Sequence, residues 1–574
     1  MRVARQAGRR GRVGAFPSTP AICAVAAVLL VVYLATGAKV LNLDGLGYAG
    51  RVESGSFRQL ALPGHLLYAP LMSAIYRLAA AVSPGLDAAR LMQVCGAIFA
   101  AVGVGVLISA LRRLLVDSFV AIAAGLALGF SYTYWTHATD LTTYALSTLC
   151  LICAFHRLCA ARQRGKTPRI WLIGAMVAFA TLIHQSNVAF LPAVMLGVLG
   201  VSGTRSRYAP NAAKALKLAA ISLALVCLAY IALGWAATGS GSPVAIAKWA
   251  AGGAHGYPLR FEPLNLARGV YGFANAVIYL DNAGTAIKGA AAGISGSRFS
   301  APELARFAGK AVFLALTLGL PLAAYARGRR LTDQQRWAAT VCIAWIVPYA
   351  LVALLFFTTD HDRWIMLMPA VVTLVAVAHP RPSMRGKLAA AGAVAILFSL
   401  NLTSALYPAH LGVNNRYYQE AVRLAPRLAS TDMIVFWGHD HIGTAGYLHQ
   451  FTRAKAVHVV DLVVNHGKRN GLRELTRIVR RALASNRRVL VIGLYGSRDT
   501  AGDYRSEAHA LDLTRPDVIH ALSPFAARPL FCSDGCRVYQ LNPAQSRNQP
   551  ETSSGPSLLF PIPYSLFPYG GSRP

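Results

Sequence analysis

A single acid, Asp44, follows the first long apolar run of the chain, in "LNLDGLGYAGRVESG" (residues 41–55). A carboxylate there can activate or position an acceptor hydroxyl or amide. It can also simply hold a turn beside Gly45 and Gly47. The next acid in the stretch is Glu53, and His65 and Tyr68 follow one helical turn apart in "LPGHLLYAPL". A second acid, Asp140, opens the helical pattern of "YWTHATDLTTYALSTL", with Tyr144 one turn later on the same face. Asp140 suits metal or acceptor contact, although an acid at a helix start is also favoured by the helix dipole. In "TTDHDRWIMLMPAV" the guanidinium of Arg363 can take two phosphate oxygens, or pair with Asp360 or Asp362. His361 lies beside it, and the Asp-x-Asp spacing of 360–362 offers a short metal-binding pattern.

Other polar groups read more plainly. His184 and Gln185 look like satisfied helix-end residues. His439, Asp440 and His441 are adjacent, and neighbours on an extended chain point to opposite sides, so a strand-end loop is favoured over a metal site. Cys532 and Cys536 flank a turn in "FCSDGCRVY", which reads as a hairpin whose thiols could join in a disulfide under oxidising conditions. The same spacing resembles half a zinc site, with no second pair nearby.

The elements that must position these groups are membrane helices. The 574 residues are 55% hydrophobic and 14% charged. Soluble domains carry about a quarter charged residues. The formal charge of +33 suggests nucleic acid, but its arginines and lysines fall in short clusters between apolar runs, as at Arg112–Arg113, Arg162–Lys166 and Arg327–Arg330. Such clusters orient membrane helices and hold anionic head groups, so no nucleic-acid partner is expected. A spanning helix needs roughly 20 apolar residues. About eleven spans follow, near 21–40, 91–111, 118–134, 141–158, 169–184, 187–202, 217–236, 309–326, 337–357, 364–378 and 388–406.

With the basic N-terminus inside, alternation puts 112–117, 159–168, 203–216, 327–336 and 379–387 inside as well, and basic residues dominate all of them. The segments carrying Asp44, Glu53, His65, Asp140 and Arg363 then share the outer face. The expected organisation is a basic cytoplasmic N-terminus (1–20), an α-helical polytopic domain (21–410) with outer loops 41–90 and 237–308, a small extracytoplasmic α/β domain (411–542) and a disordered tail (543–574). Residues 56–82 suggest a helix in the membrane interface. In the α/β domain "DMIVFWG", "KAVHVVDLVV" and "RRVLVIGLYG" read as strands of a small parallel sheet, and "GLRELTRIVRRALAS" as an amphipathic helix.

An acid in the first outer loop directly after the first helix resembles the GT-C superfamily of polytopic glycosyltransferases, and its mannosyltransferase-like branch in particular. "NLDGLGYAGRVESG" with "LPGHLLYAPL" is similar to the superfamily's first loop, "YWTHATDLTTYALSTL" to its second acidic segment, and "TTDHDRWIMLMPAV" to the Arg-containing re-entry segment. The likeness spans about residues 20–410 in layout. It departs where many members have two adjacent acids, since Gly45 follows Asp44 here. The resemblance implies transfer of a sugar from a polyprenyl-phosphate-linked donor to a glycan, lipid or protein acceptor outside the cytoplasm, by an inverting single displacement. Asp44 would be the catalytic residue, positioning the acceptor or acting as general base. Glu53, His65, Tyr68, Asp140, Tyr144, His361 and Arg363 would contact substrate, and a divalent metal, if used, would sit at Asp44 and Asp140. The competing functions are a transporter or flippase of lipid-linked saccharide and a non-catalytic membrane scaffold. A transporter would more often show matched halves with helices broken at mid-membrane.

The Ala- and Arg-rich composition points to a bacterial inner membrane. A topology reporter fused after residue 410 is expected to report an extracytoplasmic C-terminal domain; a cytoplasmic signal would undo the one-face arrangement.

Overall fold

A computed structural model describes residues 19–54, 60–114, 117–201, 208–252, 262–280, 301–319, 331–356, 358–378, 383–413, 415–437, 442–494, 513–533 and 536–543. The basic N-terminus, the triplet His439–His441, the tail beyond 543 and the side chains of Cys532 and Cys536 lie outside the described residues. The chain forms two compact units. One comprises Met1–Ser430 with Asp440–Ala454, the other Thr431–His439 with Lys455–Pro574. The first unit therefore runs past residue 410 and includes the helix Ile442–Thr452.

The first unit is helical. Among the described residues six helices are long and apolar enough to cross a membrane, or seven if one bent pair counts as a single span. The eleven expected runs nearly all form helices, but Thr19–Ala35, Ile170–Ile183 and Gln185–Leu199 are shorter apolar segments. At 1.5 Å per residue, a 17-residue helix such as Thr19–Ala35 measures about 25 Å, short of a hydrocarbon core of about 30 Å.

The helix Ala88–Arg113 is the packing axis. Small buried residues, including Gly96, Ala97, Ala100, Ala101 and Gly103, line it and let its neighbours approach closely. A Cβ on Gly103 would lie 2.6 Å from the Tyr134 hydroxyl, which donates to the Ala100 carbonyl at 2.9 Å. The small-residue stretch at 125–129 serves the same purpose. Gly125 abuts Ile108, and Gly129 accepts a hydrogen bond from Tyr33 at 2.9 Å.

The run read as one span at 118–134 breaks. Ser118–Phe130 and Tyr132–Thr139 meet at 63°. Ser131 adopts φ −63° and ψ 143°, an extended conformation, and its hydroxyl donates to the Leu128 carbonyl at 2.7 Å. That hydrogen bond satisfies a carbonyl at the end of the first helix. The turn carries His137 and Asp140 off the span axis. A comparable device precedes the helix Met368–Ala378. There the Asp360 side chain accepts the Asp362 N–H at 3.0 Å and starts a 3-10 turn over His361–Leu367.

The segments expected outside hold further helices, Leu43–Ser54, Tyr68–Val82, Pro243–Gly252 and Leu264–Val277. Tyr68–Val82 buries Tyr68, Ala69, Met72 and Ser73 while Leu78 and Val82 stay exposed, the division expected of a helix lying in an interface.

The second unit is a mixed five-stranded sheet of order β2-β1-β3-β5-β4. β1 (Met433–Phe436) pairs in parallel with β2 (Lys455–His458) and β3 (Val489–Ile492). β4 (Phe525–Ser533) and β5 (Cys536–Pro543) form an antiparallel hairpin whose second strand joins β3. The parallel part matches the sequence reading, and the hairpin makes the whole sheet mixed. The stretch "KAVHVVDLVV" is a strand only to His458; Val459–His466 is helical. β2 is an edge strand matched to four residues of β1, and Val459, Val460 and Val463 then follow a helical spacing into the core. Leu475, Val479 and Ala482 bury the amphipathic face of Lys468–Ala484.

Candidate functional site

Asp44 owes its place to a loop held from several sides. After the helix Thr19–Ala35, the Ala38 N–H donates to the Thr139 carbonyl at 3.2 Å. Gln93 Nε2 donates to the Ala38 and Thr139 carbonyls at 2.7 and 2.9 Å. The Leu41 N–H donates to the Tyr447 hydroxyl at 2.6 Å. Asp140 completes the restraint. Its carboxylate accepts the Asn42 N–H at 3.1 and 3.0 Å and the Leu141 N–H at 2.6 Å. The helix Leu43–Ser54 begins one residue later, with exposed Asp44 in its first turn, where a negative charge is favoured. The Asp44 N–H donates to the Asn42 side chain at 2.9 Å.

Gly45 explains the departure from the two-acid pattern. A Cβ there would lie 2.6 Å from Leu141 Cβ and 2.9 Å from the Leu141 carbonyl oxygen. The helix rests directly on the loop that carries Asp140, and a second acid has no room beside Asp44.

The second group comes from the bent segment. His137 is 1% exposed. Its Nδ1 lies 2.9 Å from Thr142 Oγ1 and its Nε2 2.9 Å from Asp362 Oδ1. Its ring centroid is 4.5 Å from that of Tyr144. The third group is the 3-10 turn. Arg363 Nη1 donates to the Tyr144 hydroxyl at 3.1 Å, Nε lies 3.5 Å from Asp360 Oδ2, and the guanidinium sits 5.0 Å from the Phe356 ring centroid. His361 Nε2 lies 3.2 Å from Asp362 Oδ1. The Asp44 carboxylate favours the charged form of Arg363 and disfavours ionisation of Tyr144.

The rings of His65 and His184 close the arrangement. Their centroids are 4.8 Å apart, and His184 is 4.9 Å from Tyr144. His65 Nδ1 faces the Ile183 carbonyl at 3.2 Å, and Tyr48 joins His65 to Tyr68 through edge contacts at 5.7 and 5.5 Å. The Ser186 N–H donates to His184 Nδ1 at 3.4 Å, which puts the imidazole proton on Nε2. That buried Nε2 has no hydrogen-bond partner among the described residues.

The fold thus gathers Asp44, His65, Tyr68, Tyr144, His361 and Arg363 into one connected network. Glu53 works elsewhere. Its carboxylate accepts the Ala88 N–H at 3.1 Å and pairs with Arg453, fastening the far end of the helix that bears Asp44. Asp140 is 5% exposed and its two oxygens face backbone N–H groups, so its visible work is to hold the loop. As a metal donor set, Asp44 with Asp140 fits poorly for that reason. His137 was legible as a polar residue of the shared face and His184 as a satisfied helix-end residue, but neither was given a role at the site, and Thr142 and Asn42 were not singled out by the sequence.

Solved structures are similar to this chain to different degrees, and only those with a TM-score above 0.5 show a shared fold. ArnT from Cupriavidus metallidurans aligns over 90% of this chain and 97% of its own, with TM-score 0.52 and 14% identity when bound to undecaprenyl phosphate. In the apo state the values are 0.55 and 15%. The apo oligosaccharyltransferase of Archaeoglobus fulgidus aligns over 91% of this chain and 74% of its own, with TM-score 0.43 and 12% identity. No protein family and no curated protein sequence matches the chain. The chain shares the fold of the two ArnT structures.

Burial pushes the Asp140 carboxyl up to about 6, against the opposing effect of the Leu141 and Asn42 N–H groups. The unfolded chain releases this proton near pH 4, the ordinary range. Between about pH 4 and 6 the folded state binds more protons, so this group's contribution to stability falls as pH rises. In detergent, Asp140→Asn is expected to remove that component from the dependence of Tm on pH over this window. An unchanged slope would refute the assignment.

Proposed function

We propose that the protein is an integral membrane glycosyltransferase that moves a sugar from a polyprenyl-phosphate-linked donor to an acceptor outside the cytoplasm. The observation that carries this reading is the hydrogen bond of Arg363 to Tyr144 at 3.1 Å, which joins two separate segments, with the exposed carboxylate of Asp44 favouring the charge on that guanidinium from a third. An exposed carboxylate opposite a guanidinium is what a single displacement at a phosphate-linked sugar needs.

Asp44 orients the acceptor and takes up its proton as the acceptor attacks the anomeric carbon. Arg363 meets the lipid phosphate, whose negative charge grows as the bond to the sugar breaks. Asp360 and Tyr144 hold the guanidinium at Nε and Nη1, so its orientation is set before substrate arrives. Displacement from the face opposite the phosphate inverts the anomeric configuration. His65, just before the interfacial helix, faces the approach from the bilayer with buried Tyr68 packed behind it through Tyr48, and Glu53 keeps the helix carrying Asp44 in place. The apolar helices and the fold shared with an undecaprenyl-phosphate-bound structure support a lipid-linked donor. A bacterial inner membrane with these groups on the outer side accords with the alternation of basic segments. A glycan, glycolipid or protein is the acceptor class.

Membranes supplied with labelled polyprenyl-phosphate sugar are expected to transfer label to an endogenous acceptor. Asp44→Asn should lower the rate on the order of 100-fold or more at equal protein level. Full activity in that variant would exclude the role given to Asp44, and donor translocation without transfer would favour a flippase. Gly45→Ala tests position separately from charge. Its Cβ forces the helix away from Leu141 and is expected to reduce transfer about tenfold or more, while wild-type activity would show that the close packing does not set Asp44.

A further inference from the structure

We infer that the cavity lined by Arg306, Lys310, Thr403 and Ser404 binds the head group of an anionic glycerophospholipid. The cavity measures about 610 Å³, and Gly309 and Leu400 complete its lining. It lies between the helix Ala301–Leu314 and the chain on either side of Asn401, where the helix Met384–Asn401 ends. Among the described residues its wall carries two cations, two hydroxyls and no carboxylate. That set repels metal ions and suits an anion. A guanidinium takes two oxygens of a phosphate, an ammonium adds a point charge, and a hydroxyl can donate to phosphate or accept from a glycerol. No lining residue belongs to the network that joins Asp44, Tyr144 and Arg363, so the site is independent of the sugar-transfer reading.

The polar groups are arranged for a ligand. Arg306 is exposed and makes no ion pair or hydrogen bond among the described residues. The Ser404 hydroxyl likewise makes no hydrogen bond among them. Thr403 Oγ1 donates to the Ser399 carbonyl at 2.7 Å, which leaves its lone pairs to accept. Lys310 is buried, and its Nζ donates to the Tyr279 carbonyl at 2.7 Å and sits 5.9 Å from the Tyr279 ring centroid. Asn401 fixes Tyr279 in turn. It accepts the Tyr279 N–H at 2.9 Å and donates to the Phe130 and Val277 carbonyls at 2.8 and 3.0 Å. The ammonium is therefore held at the cavity wall rather than extended into water. Thr403 and Ser404 lie in a π-helical turn, Leu402–Leu406, a wider winding that is frequent at functional sites.

The surroundings select a lipid over a free anion. The apolar runs read as spans at 309–326 and 388–406 start and end beside these residues, which puts the cavity at the depth of the head groups. Apolar side chains then lead away from it along each helix. Val312 and Leu316 follow Gly309 one and two turns on, and Ile396 precedes Leu400 by one turn. Val312, Leu316 and Ile396 are all exposed, as side chains that meet acyl chains must be. Head-group charge selects among lipids. Phosphatidylcholine brings its own ammonium, which two cations in one cavity repel. Phosphatidylglycerol brings the phosphate charge with a glycerol whose hydroxyls match Thr403 and Ser404.

The test counts bound lipid. Full-length protein, purified in detergent and delipidated, is titrated with phosphatidylglycerol and separately with phosphatidylcholine of the same acyl chains, and the complexes are counted by native mass spectrometry. Wild type is expected to bind phosphatidylglycerol about tenfold or more tightly than phosphatidylcholine. Arg306→Gln should weaken phosphatidylglycerol about tenfold and leave phosphatidylcholine unchanged. Arg268→Gln, which removes one positive charge at an exposed ion pair on another helix, should match wild type. A phosphatidylglycerol carrying a diazirine gives a second measurement that needs no variant, with crosslinks expected within 306–316 or 396–404. Equal affinity for the two lipids, an Arg306→Gln protein that binds like wild type, or crosslinks confined to other helices would overturn the site. Displacement of the lipid by millimolar inorganic phosphate would assign the cavity to a free anion and overturn its assignment to a lipid.

Discussion

The carboxylate of Asp140 is the interaction on which the rest of the site depends. It faces the backbone N–H groups of Asn42 and Leu141, and through Asn42 it fixes the turn from which the helix of Asp44 starts. Hydrogen bonds to a charged acceptor contribute on the order of 1.5–3 kcal/mol each, and a buried one that loses its partner is costly. The loop therefore has one low-energy position relative to the bent segment. Gln93 reinforces it from the helix Ala88–Arg113 by bridging the carbonyls of Ala38 and Thr139. Tyr447 does so from a helix some four hundred residues away in sequence, as does Arg453 through Glu53. Asp44 is exposed at the end of a rigid chain of contacts, which is how a loop residue acquires a defined position.

The same logic governs the guanidinium of Arg363. An arginine at the outer end of a membrane helix tends to extend toward water. Here Asp360, Tyr144 and the face of Phe356 meet it at separate points of the fork. The 3-10 turn over His361–Leu367 makes this possible, because Asp360 both caps the turn and reaches back to Arg363. One acid thus orders the backbone and the cation together. The neighbouring acid, Asp362, turns instead toward His137 and His361. Two carboxylates two residues apart serve opposite sides of the turn.

Much of this was legible in the sequence, and what was hidden has physical causes. The hydrophobic runs located the helices, since the demand for apolar length is strong and local. The three polar stretches were recognisable because a charged residue beside a membrane span is expensive without a purpose. The break at Ser131 was not visible. No proline marks it, and the bend rests on the backbone angles of one serine and its bond to Leu128. Without that bend, His137 read as one polar residue among many. The role of Asp140 was hidden for a related reason. Its partners are backbone N–H groups, which every residue has, so no residue type announces them. The long run "KAVHVVDLVV" was ambiguous because buried strands and buried helices draw on the same apolar residues.

Gly45 connects the packing to the chemistry. Many members of the superfamily that the loops resemble place two acids side by side in the first loop, and beside them a single acid looks like a loss. In this chain the second position is filled from across the contact, by the backbone and side chain of Leu141. Close approach brings the loop holding Asp140 under the first turn of the Asp44 helix, and only glycine permits it. A larger side chain at 45 would supply another charge but lift that turn off its support. The single acid and the tight seating of its helix are therefore one structural choice, in which position replaces a second carboxylate. Negative charge and imidazole are instead concentrated on the facing segment, at Asp360, His361 and Asp362, where the chain bends back into the helical bundle.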